Sequence, residues 1–390
     1  MVQTKLFWNE CQGLREKSGL YDLDQELLIT VLSSFITRQN IVVTADNSEA
    51  SSYVQCWLEL IASNILGIED VATIRFKPTT VWADVEDALL SMGELRRMKN
   101  EMQQHRENSN TLTTTTTTTT TSTQDVESAS RKSSSMILPA RTTSHTSHKK
   151  QRQGLPRFII MKDLDRASRE IQSLVVQGLV TKTVFCNGVE YPFPNTNSLV
   201  VSLINLKRGQ GVEGLMPHLK DLFFFRHHVS LEDSSGIPLS KEEIRERSLR
   251  LPNIAPAQLV SKDMIDEAVS QIGRIVIIPE IKIYMQDIVV FLRTHRLVQA
   301  GRGVSPKGVK DFEKLLRIMC VVHGNEYATP SLVALAARKL FPLKVDMCRL
   351  PEYEPTLHYG SDIKLVTQWM KKWDAELIID DVLNIVPAPL

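Results

Sequence analysis

The residues best placed to bind phosphate are 45–52, Ala-Asp-Asn-Ser-Glu-Ala-Ser-Ser, which lie between a predicted strand and a predicted helix. The phosphate-binding pattern G-x-x-x-x-G-K-[ST] uses glycines so that backbone N–H groups can surround phosphate, a lysine for its charge and a hydroxyl for Mg²⁺. Ala45 and Ala50 stand at the glycine positions, Ser51 stands at the lysine position, and Ser52 keeps the hydroxyl. The segment therefore has the length of a phosphate-binding loop without most of its chemistry.

Two acidic side chains, Asp46 and Glu49, make this segment still less suited to phosphate. A carboxylate about 4 Å from a phosphate charge is repelled by roughly 4 kcal/mol at an effective dielectric constant of about 20. We therefore expect residues 45–52 to form a degenerate loop that binds nucleotide poorly.

Three histidines, His218, His227 and His228, lie close in sequence to Asp221 and form a candidate metal site. His227 and His228 are adjacent on a predicted strand, where neighbouring side chains point to opposite faces of a sheet. A shared metal ion is therefore the less favoured interpretation, and we expect no metal centre here.

Two tryptophans near the carboxyl end form a possible binding stripe. Trp369 and Trp373 are spaced by four on a predicted helix, with Lys371 and Lys372 between them, so both rings fall on one helical face. The pair belongs either to the core or to a surface that binds a partner, and exposed rings would favour the partner.

The composition is that of a soluble globular protein of two or three domains. Of the 390 residues, 42% are apolar and 23% are charged, and 46 basic against 45 acidic residues leave a net charge of +1. This balance favours neither nucleic-acid binding nor attraction to an acidic membrane. Without a signal sequence or an apolar run of about 18 residues, we expect an intracellular protein, cytoplasmic or nuclear, that does not enter a membrane. The five cysteines contain no C-x-x-C pair, so neither a disulfide framework nor a zinc site is favoured.

Hydrophobic periodicity predicts an α/β core. Four continuously apolar segments alternate with amphipathic helices, which is typical of a parallel sheet with helices on both faces. These predicted strands are Ile41–Thr44, Val71–Phe76, Phe158–Met161 and Ser198–Ile204. The last third has helical spacing instead, and Ser305-Pro306 and Thr329-Pro330 are typical helix starts. A further apolar strand or extended stretch, Ile275–Ile278, is expected before this helical part.

The chain divides into six predicted segments. They are 1–99, the first part of the α/β core; 100–154, a disordered Thr/Ser-rich insertion; 155–229, the second part of the core; 230–278, a charged linker; 279–345, a small helical domain; and 346–390, a tail with a helix. The insertion contains nine consecutive threonines and few apolar side chains, so burial cannot offset an ordering entropy of roughly 1–2 kcal/mol per residue.

Five short motifs carry a resemblance to a known family. They are Ile74–Pro78, Trp82–Val85, Gly303–Lys307 (Gly-Val-Ser-Pro-Lys), His323–Pro330 (His-Gly-Asn-Glu-Tyr-Ala-Thr-Pro) and Phe341–Leu343. In this order and spacing the chain resembles AAA+ ATPases of the magnesium-chelatase and MoxR branch over nearly its whole length outside the insertion. Val289–Leu297 and Tyr359–Asp362 resemble a fungal, magnesium-chelatase-like member more closely. The resemblance implies an AAA+-like fold: a parallel-sheet core with helices on both faces, followed by a small all-α lid at 279–345.

The resemblance also implies roles for individual residues, and four of these positions are wholly or partly retained. Ser52 corresponds to the hydroxyl that binds Mg²⁺, Asp163 to a carboxylate at a strand end, and Asn205 to the sensor asparagine. Lys307 corresponds to the lid arginine, and it keeps the charge but loses the two-pronged hydrogen-bonding group.

Three other positions have lost the side chain that the family uses. Ser51 replaces the loop lysine, Leu164 replaces the glutamate that orients the attacking water, and Leu222 replaces the arginine that reaches a neighbouring subunit. Two nearby residues do not compensate, because Asp165 is expected at a helix N-terminus and Arg226 on the surface of a strand edge. Positioning and electrostatics supply nearly all of phosphoryl-transfer catalysis, so these losses predict an inactive site.

The sequence thus predicts a catalytically degenerate AAA+-like protein that acts through protein partners, as a scaffold or as a subunit of an AAA+ hetero-oligomer. No cofactor is expected on this interpretation. The alternative is a divergent magnesium-chelatase-type ATPase that binds ATP and Mg²⁺, with Asp163 holding Mg²⁺ through water. A nucleic-acid-associated role is supported only by basic residues at the end of the insertion, so direct binding of nucleic acid is not expected.

Overall fold

The computed structural model describes residues 13–14, 24–90, 155–186, 188–194, 197–232, 238–249, 258–353 and 359–389. The predicted insertion at 100–154 lies outside these residues. In the described part, no helix has both the length and the apolar character needed to cross a membrane.

The core is a five-stranded sheet in which every pairing is parallel. Its strands are β1 (Asn40–Ala45), β2 (Val71–Arg75), β3 (Phe158–Lys162), β6 (Leu199–Asn205) and β7 (Phe223–Val229). They lie in the order β2-β3-β6-β1-β7. The short strands β4 (Thr183–Cys186) and β5 (Val189–Pro192) form a separate antiparallel hairpin. The predicted α/β class and parallel sheet are therefore confirmed.

Helices surround this sheet and make up the carboxyl-terminal part. In the core they are α1 (Gln25–Thr37), α2 (Ser48–Leu60, continued by a π-helical turn Ile61–Ile65), α3 (82–90), α4 (Arg169–Thr181) and α5 (Pro217–Leu222). Beyond the sheet they are α6 (Lys241–Leu249), α7 (Lys262–Arg274), α8 (Pro279–Thr294), α9 (Pro306–Val322), α10 (Pro330–Lys344), α11 (Ile363–Met370) and α12 (Ala375–Ile385). Short 3₁₀ turns occupy Leu164–Arg166 and Pro351–Tyr353.

Both faces of the sheet are buried, and β1 shows why its sequence is continuously apolar. Ile41 and Val43 pack into a core shared with α1, α2 and the helical domain, whereas Val42 packs into a second core shared with α3 and α4. Successive strand side chains alternate between faces, so a strand covered on both sides needs apolar residues at every position.

The helical domain at 279–345 begins its helices where the sequence predicts. The Ser305 hydroxyl accepts a hydrogen bond from the Gly308 N–H at 3.1 Å, and Thr329 caps α10 in the same way. Proline follows each cap at the first helical position. The two helices pack through the rings of Phe312 and Phe341, whose centroids are 4.8 Å apart.

Three segments differ from the expectation. The segment 230–278, predicted as a charged linker, contains α6 and the amphipathic α7, which starts at the Ser261 cap. The predicted extended stretch at Ile275–Ile278 makes one isolated bridge, from Val276 to Tyr327, and does not join the sheet. The single predicted tail helix is two helices, because the Asp374 carboxylate accepts from the Leu377 N–H at 2.8 Å and so caps a new start.

Candidate functional site at the carboxyl edge of the sheet

Parallel pairing brings the ends of the sheet strands to one edge. Ala45 pairs with Asn205, Lys162 pairs with Leu203, and Arg75 pairs with Lys162. Side chains at and just after these positions therefore meet at one edge, which is where open α/β sheets bind their ligands.

The turn between β1 and α2 is much shorter than the eight-residue loop expected from the sequence. Strand β1 ends at Ala45 and α2 begins at Ser48, so Ala50, Ser51 and Ser52 are already helical. The Asn47 side chain accepts from the Ala50 N–H at 2.7 Å, and the Asn47 carbonyl accepts from the Ser51 N–H at 2.9 Å. Backbone N–H groups that would surround phosphate are instead used to cap and continue the helix.

Asp163 lies at the centre of the edge, and both of its carboxylate oxygens have partners. Oδ1 accepts from Asn205 Nδ2 at 2.7 Å, and Oδ2 accepts from Arg75 Nε at 3.3 Å. Asp163 is 1% exposed, and its φ of 59° is in the left-handed region, a conformation uncommon outside glycine. Two residues expected at the site, Asp163 and Asn205, are thus brought into direct contact.

Lys162 and Arg75 belong to this site although the sequence analysis did not include them. The Lys162 ammonium donates to Ser52 Oγ at 3.0 Å and to Gln55 Oε1 at 3.3 Å. Burial, reinforced by the charge of Arg75, lowers the pKa of Lys162. The sequence did contain a sign that Lys162 is functional or paired, since it is a lysine at the end of an otherwise apolar strand. A charge inside a sheet needs a partner.

These contacts bear on whether the implied ATP and Mg²⁺ fit this edge. The two side chains expected to approach Mg²⁺ each contact a protein cation: Ser52 contacts Lys162 and Asp163 contacts Arg75. A divalent ion placed beside Ser52 and Asp163 would be repelled by the charges of Lys162 and Arg75. Leu164, which the resemblance matches to the water-orienting glutamate, is fully buried in the apolar core and carries no base. The residues present do not fit a magnesium-bound triphosphate.

Lys307, which the resemblance matches to a family arginine, forms its contacts within the helical domain at 279–345. Its ammonium binds Asp311 Oδ2 at 2.9 Å, one turn along α9. Asp311 also contacts the ammonium of Lys344 at 3.3 Å. Lys344 is fully buried and donates to the carbonyls of Lys220 at 3.1 Å and of Phe223 at 2.6 Å, so it joins the lid to the core.

Arg226 is buried, so its predicted place on the surface of a strand edge is wrong. Its Nε donates to Thr44 Oγ1 at 3.0 Å, and its terminal nitrogens donate to the carbonyls of Lys207 and Gln210. Burial lowers the pKa of Arg226. The sequence did not reveal that the loop after β6 folds over this part of β7 and supplies the carbonyl acceptors.

Two of the three candidate histidines share one cleft, although they are adjacent on β7. His227 Nε2 lies 3.8 Å from an oxygen of Asp24, and His228 Nε2 lies 3.5 Å from an oxygen of Asp46. The cleft measures about 620 Å³, and His218 lines a different one. Burial lowers the pKa of His228. Among the described residues there is no group of three or more His, Cys, Asp or Glu side chains that could hold a metal ion.

The last two residues discussed in the sequence analysis are Asp165 and Leu222. Asp165 lies in the 3₁₀ turn before α4 and not at the helix N-terminus, which Ser168 caps by accepting from the Ile171 N–H at 3.3 Å. Burial raises the pKa of Asp165. Leu222 ends α5 and is partly buried against apolar side chains.

Comparison with solved structures supports the fold assignment. A chain from Cytophaga hutchinsonii described as a "putative ATPase" matches with a TM-score of 0.61 at 14% identity, covering 99% of this chain and 97% of that one. At this identity the likeness concerns the fold. Together with the observed sheet, it confirms the expected α/β class: a parallel-sheet core followed by helices.

Sequence comparison finds relatives named maintenance of telomere capping protein 2, the fungal protein that Val289–Leu297 and Tyr359–Asp362 resemble. The Saccharomyces cerevisiae protein is 34% identical over 91 residues, 23% of this chain and 26% of the relative. The Lachancea thermotolerans protein is 28% identical over 127 residues, 28% of this chain and 45% of the relative. This chain therefore spans about a quarter to just under half of these relatives' own length. No family model matches, and the magnesium-chelatase and MoxR part of the resemblance stays a prediction.

Proposed function

We propose that this chain is a non-hydrolysing AAA+-like protein that works as a scaffold or as a subunit of a hetero-oligomer. The observation that carries the proposal is that the polar side chains at the carboxyl edge of the sheet already contact one another. Asp163 is bound by Arg75 and Asn205, and Lys162 is bound to Ser52, so the groups that would hold Mg²⁺ already have protein partners. The early start of α2 supports the same conclusion, because it leaves no open loop for phosphate.

Titration with a fluorescent ATP analogue and measurement of ATP turnover test the proposal. We expect neither saturable binding nor turnover by the purified full chain. Thermal stability with and without ATP and Mg²⁺ is an independent test, because a ligand at 100 times its Kd would add about 2.7 kcal/mol. Turnover that disappears in the Asp163→Ala variant would refute the proposal.

The second candidate function is that of a divergent magnesium-chelatase-type ATPase. The full-length likeness to a chain described as an ATPase favours it, as do Ser52, Asp163 and Asn205. On this alternative ATP and Mg²⁺ would bind only after Arg75 and Lys162 moved away from these groups. The rate of hydrogen exchange at the backbone amides of residues 46–55 would then be expected to change on adding ATP and Mg²⁺.

We further propose a connection with the maintenance of chromosome ends, and hence action in the nucleus. The support is the name shared by the curated relatives, which gives a process and no biochemical activity. Expression of this chain in a Saccharomyces cerevisiae strain without its maintenance of telomere capping protein 2 tests the connection. Restored capping is the expected result, and an unchanged capping defect despite normal protein levels would contradict it.

A further inference from the structure

Helix α11, residues Ile363–Met370, turns most of its surface to solvent. Leu365 is 64% exposed and Trp369 is 44% exposed, and they are spaced by four, so they lie on the same face. Only Met370 of this helix is buried. Isolated apolar side chains are common on protein surfaces, whereas two exposed ones adjacent on one helical face make that face a candidate binding surface.

Trp369 and Trp373 have different roles, which the sequence could not separate. Their rings pack edge to face with centroids 5.7 Å apart. Trp373 is half-buried and also contacts the His295 ring, with centroids 6.2 Å apart. Trp373 therefore fixes α11 against the lid, and Trp369 presents its ring outwards from that support. A rigid, supported aromatic side chain is the kind that dominates binding energy at protein interfaces.

The charged residues of α11 and of the two positions after it are all basic. Lys364, Lys371 and Lys372 are exposed, and between Ile363 and Trp373 there is no acidic residue. In the part of the chain that the structure describes, none of the three lysines has an ion pair, whereas Arg338 and Asp380 on the nearby helices α10 and α12 pair at 2.7 Å. The acidic residues that flank α11 have other contacts, because Asp362 and Asp374 cap helices.

We propose that Leu365, Trp369 and the three lysines form a docking surface for an acidic amphipathic segment of a partner protein. The partner's apolar side chains would cover Leu365 and Trp369, and its carboxylates would pair with Lys364, Lys371 and Lys372. An α11 of eight residues is about 12 Å long, which matches two to three turns of a helix laid against it. The inference deepens the scaffold function proposed above and rests on it.

Selection from a phage-displayed library of peptides of about 12 residues, against the full chain, tests this surface. We expect selected peptides to be acidic and to carry apolar residues three or four apart. In fluorescence anisotropy, the double variant Leu365→Ser with Trp369→Ser should bind a selected peptide at least about tenfold more weakly, which is about 1.4 kcal/mol. The charge reversal Lys371→Glu with Lys372→Glu should weaken binding similarly and reduce its dependence on salt.

A matched control is the double variant Ile283→Ser with Val290→Ser, which removes two exposed apolar side chains from α8. It should leave peptide affinity unchanged, and circular dichroism should show all variants to be folded. The proposal is overturned if no peptide is selected, or if selected peptides bind the α11 variants as well as they bind the unmodified chain.

Two other outcomes would also overturn it by identifying a different occupant. One is binding to phosphatidylcholine and phosphatidylserine vesicles that depends on Leu365 and Trp369, which would indicate a membrane surface. The other is self-association lost in the same variant, which would indicate a second copy. Measurement of ATP turnover with the same preparation separates the two proposals, since turnover that disappears in Asp163→Ala would refute the non-hydrolysing function without altering the peptide result.

Discussion

Lys344 provides the sharpest test of how the helical domain is joined to the core. Its ammonium is fully buried and is surrounded by the carbonyls of Lys220, Asp221 and Phe223 and by Asp311 Oδ2. Burial lowers the pKa of Lys344 from 10.5 to about 8; the charge of Lys307 adds to this, and Asp311 and Asp221 oppose it. At about 1.4 kcal/mol per pKa unit, this change corresponds to roughly 3 kcal/mol.

The sign of the resulting pH dependence follows from which state binds more protons. Below about pH 8, Lys344 is protonated in both the folded and the unfolded chain, and folding bears the full cost of the buried charge. Between about pH 8 and 10.5 the folded chain has lost this proton and the unfolded chain retains it, so the free energy of unfolding rises with pH. The contribution of this one side chain therefore becomes more favourable in alkaline solution.

Urea denaturation of the unmodified chain and of Lys344→Met, from about pH 7 to pH 10, isolates the contribution of Lys344 to the free energy of unfolding. Near neutral pH the variant should be less stable by about 2 kcal/mol, because buried carbonyls and Asp311 lose a donor. From about pH 7.5 to pH 10, the difference in unfolding free energy should grow by about 2.5 kcal/mol. Titratable groups distant from Lys344 are present in both proteins, so their contributions cancel in the difference. Lys310→Met, at an exposed position on α9, is the control and should show no such growth. A difference that stays constant with pH would refute the reasoning.

Three further substitutions test the sheet edge and the helix starts by urea denaturation. Asp163→Asn should cost about 1–3 kcal/mol, because it weakens the contacts to Arg75 and Asn205. Asp46→Asn, at a half-buried turn position whose carboxylate lies 3.5 Å from His228, should cost less, and equal effects would contradict the importance of the Asp163 contacts. Arg226→Met should cost about 2–4 kcal/mol, because the carbonyls of Lys207 and Gln210 lose their donor, and a neutral effect would show that water reaches them. Ser305→Ala should cost about 1 kcal/mol, because α9 loses its cap and the 2.9 Å hydrogen bond from Ser305 to Asp221 is lost. The control is Ser331→Ala, at the second residue of α10. Equal costs for the two variants would count against a capping role for Ser305.

The sequence predicts the elements well because their signals are local. Apolar runs mark the strands, and a serine or threonine before a proline marks α9 and α10, both of which start at the predicted residue. Helix α7 was missed because its segment was judged by charge and proline content, although its apolar side chains recur at helical spacing. The two-helix tail was missed because an aspartate cap in the middle of a helical pattern resembles a surface charge.

The site was less predictable, because its contacts join distant parts of the chain. The pairs formed by Asn205 with Asp163, and by Lys162 with Ser52, bridge separations of 42 and 110 residues. The sequence could propose Asp163 and Asn205 from the resemblance, but it could not show that Arg75 occupies one carboxylate oxygen. Arg226 was misplaced for the same reason: only the fold brings the carbonyls of the loop after β6 within its reach.

The connection between β1 and α2 is only two residues long, which leaves little room for an open loop of the G-x-x-x-x-G-K-[ST] pattern. Placing glycines at Ala45 and Ala50 and a lysine at Ser51 would change residues whose backbone belongs to the strand and the helix. For backbone N–H groups to surround a phosphate here, the first turn of α2 would have to unwind and lose the Asn47 cap. The alternative is to insert extra residues before α2. Building such a loop here is therefore a matter of chain length as much as of side-chain identity, because single substitutions would leave the backbone of strand and helix unchanged.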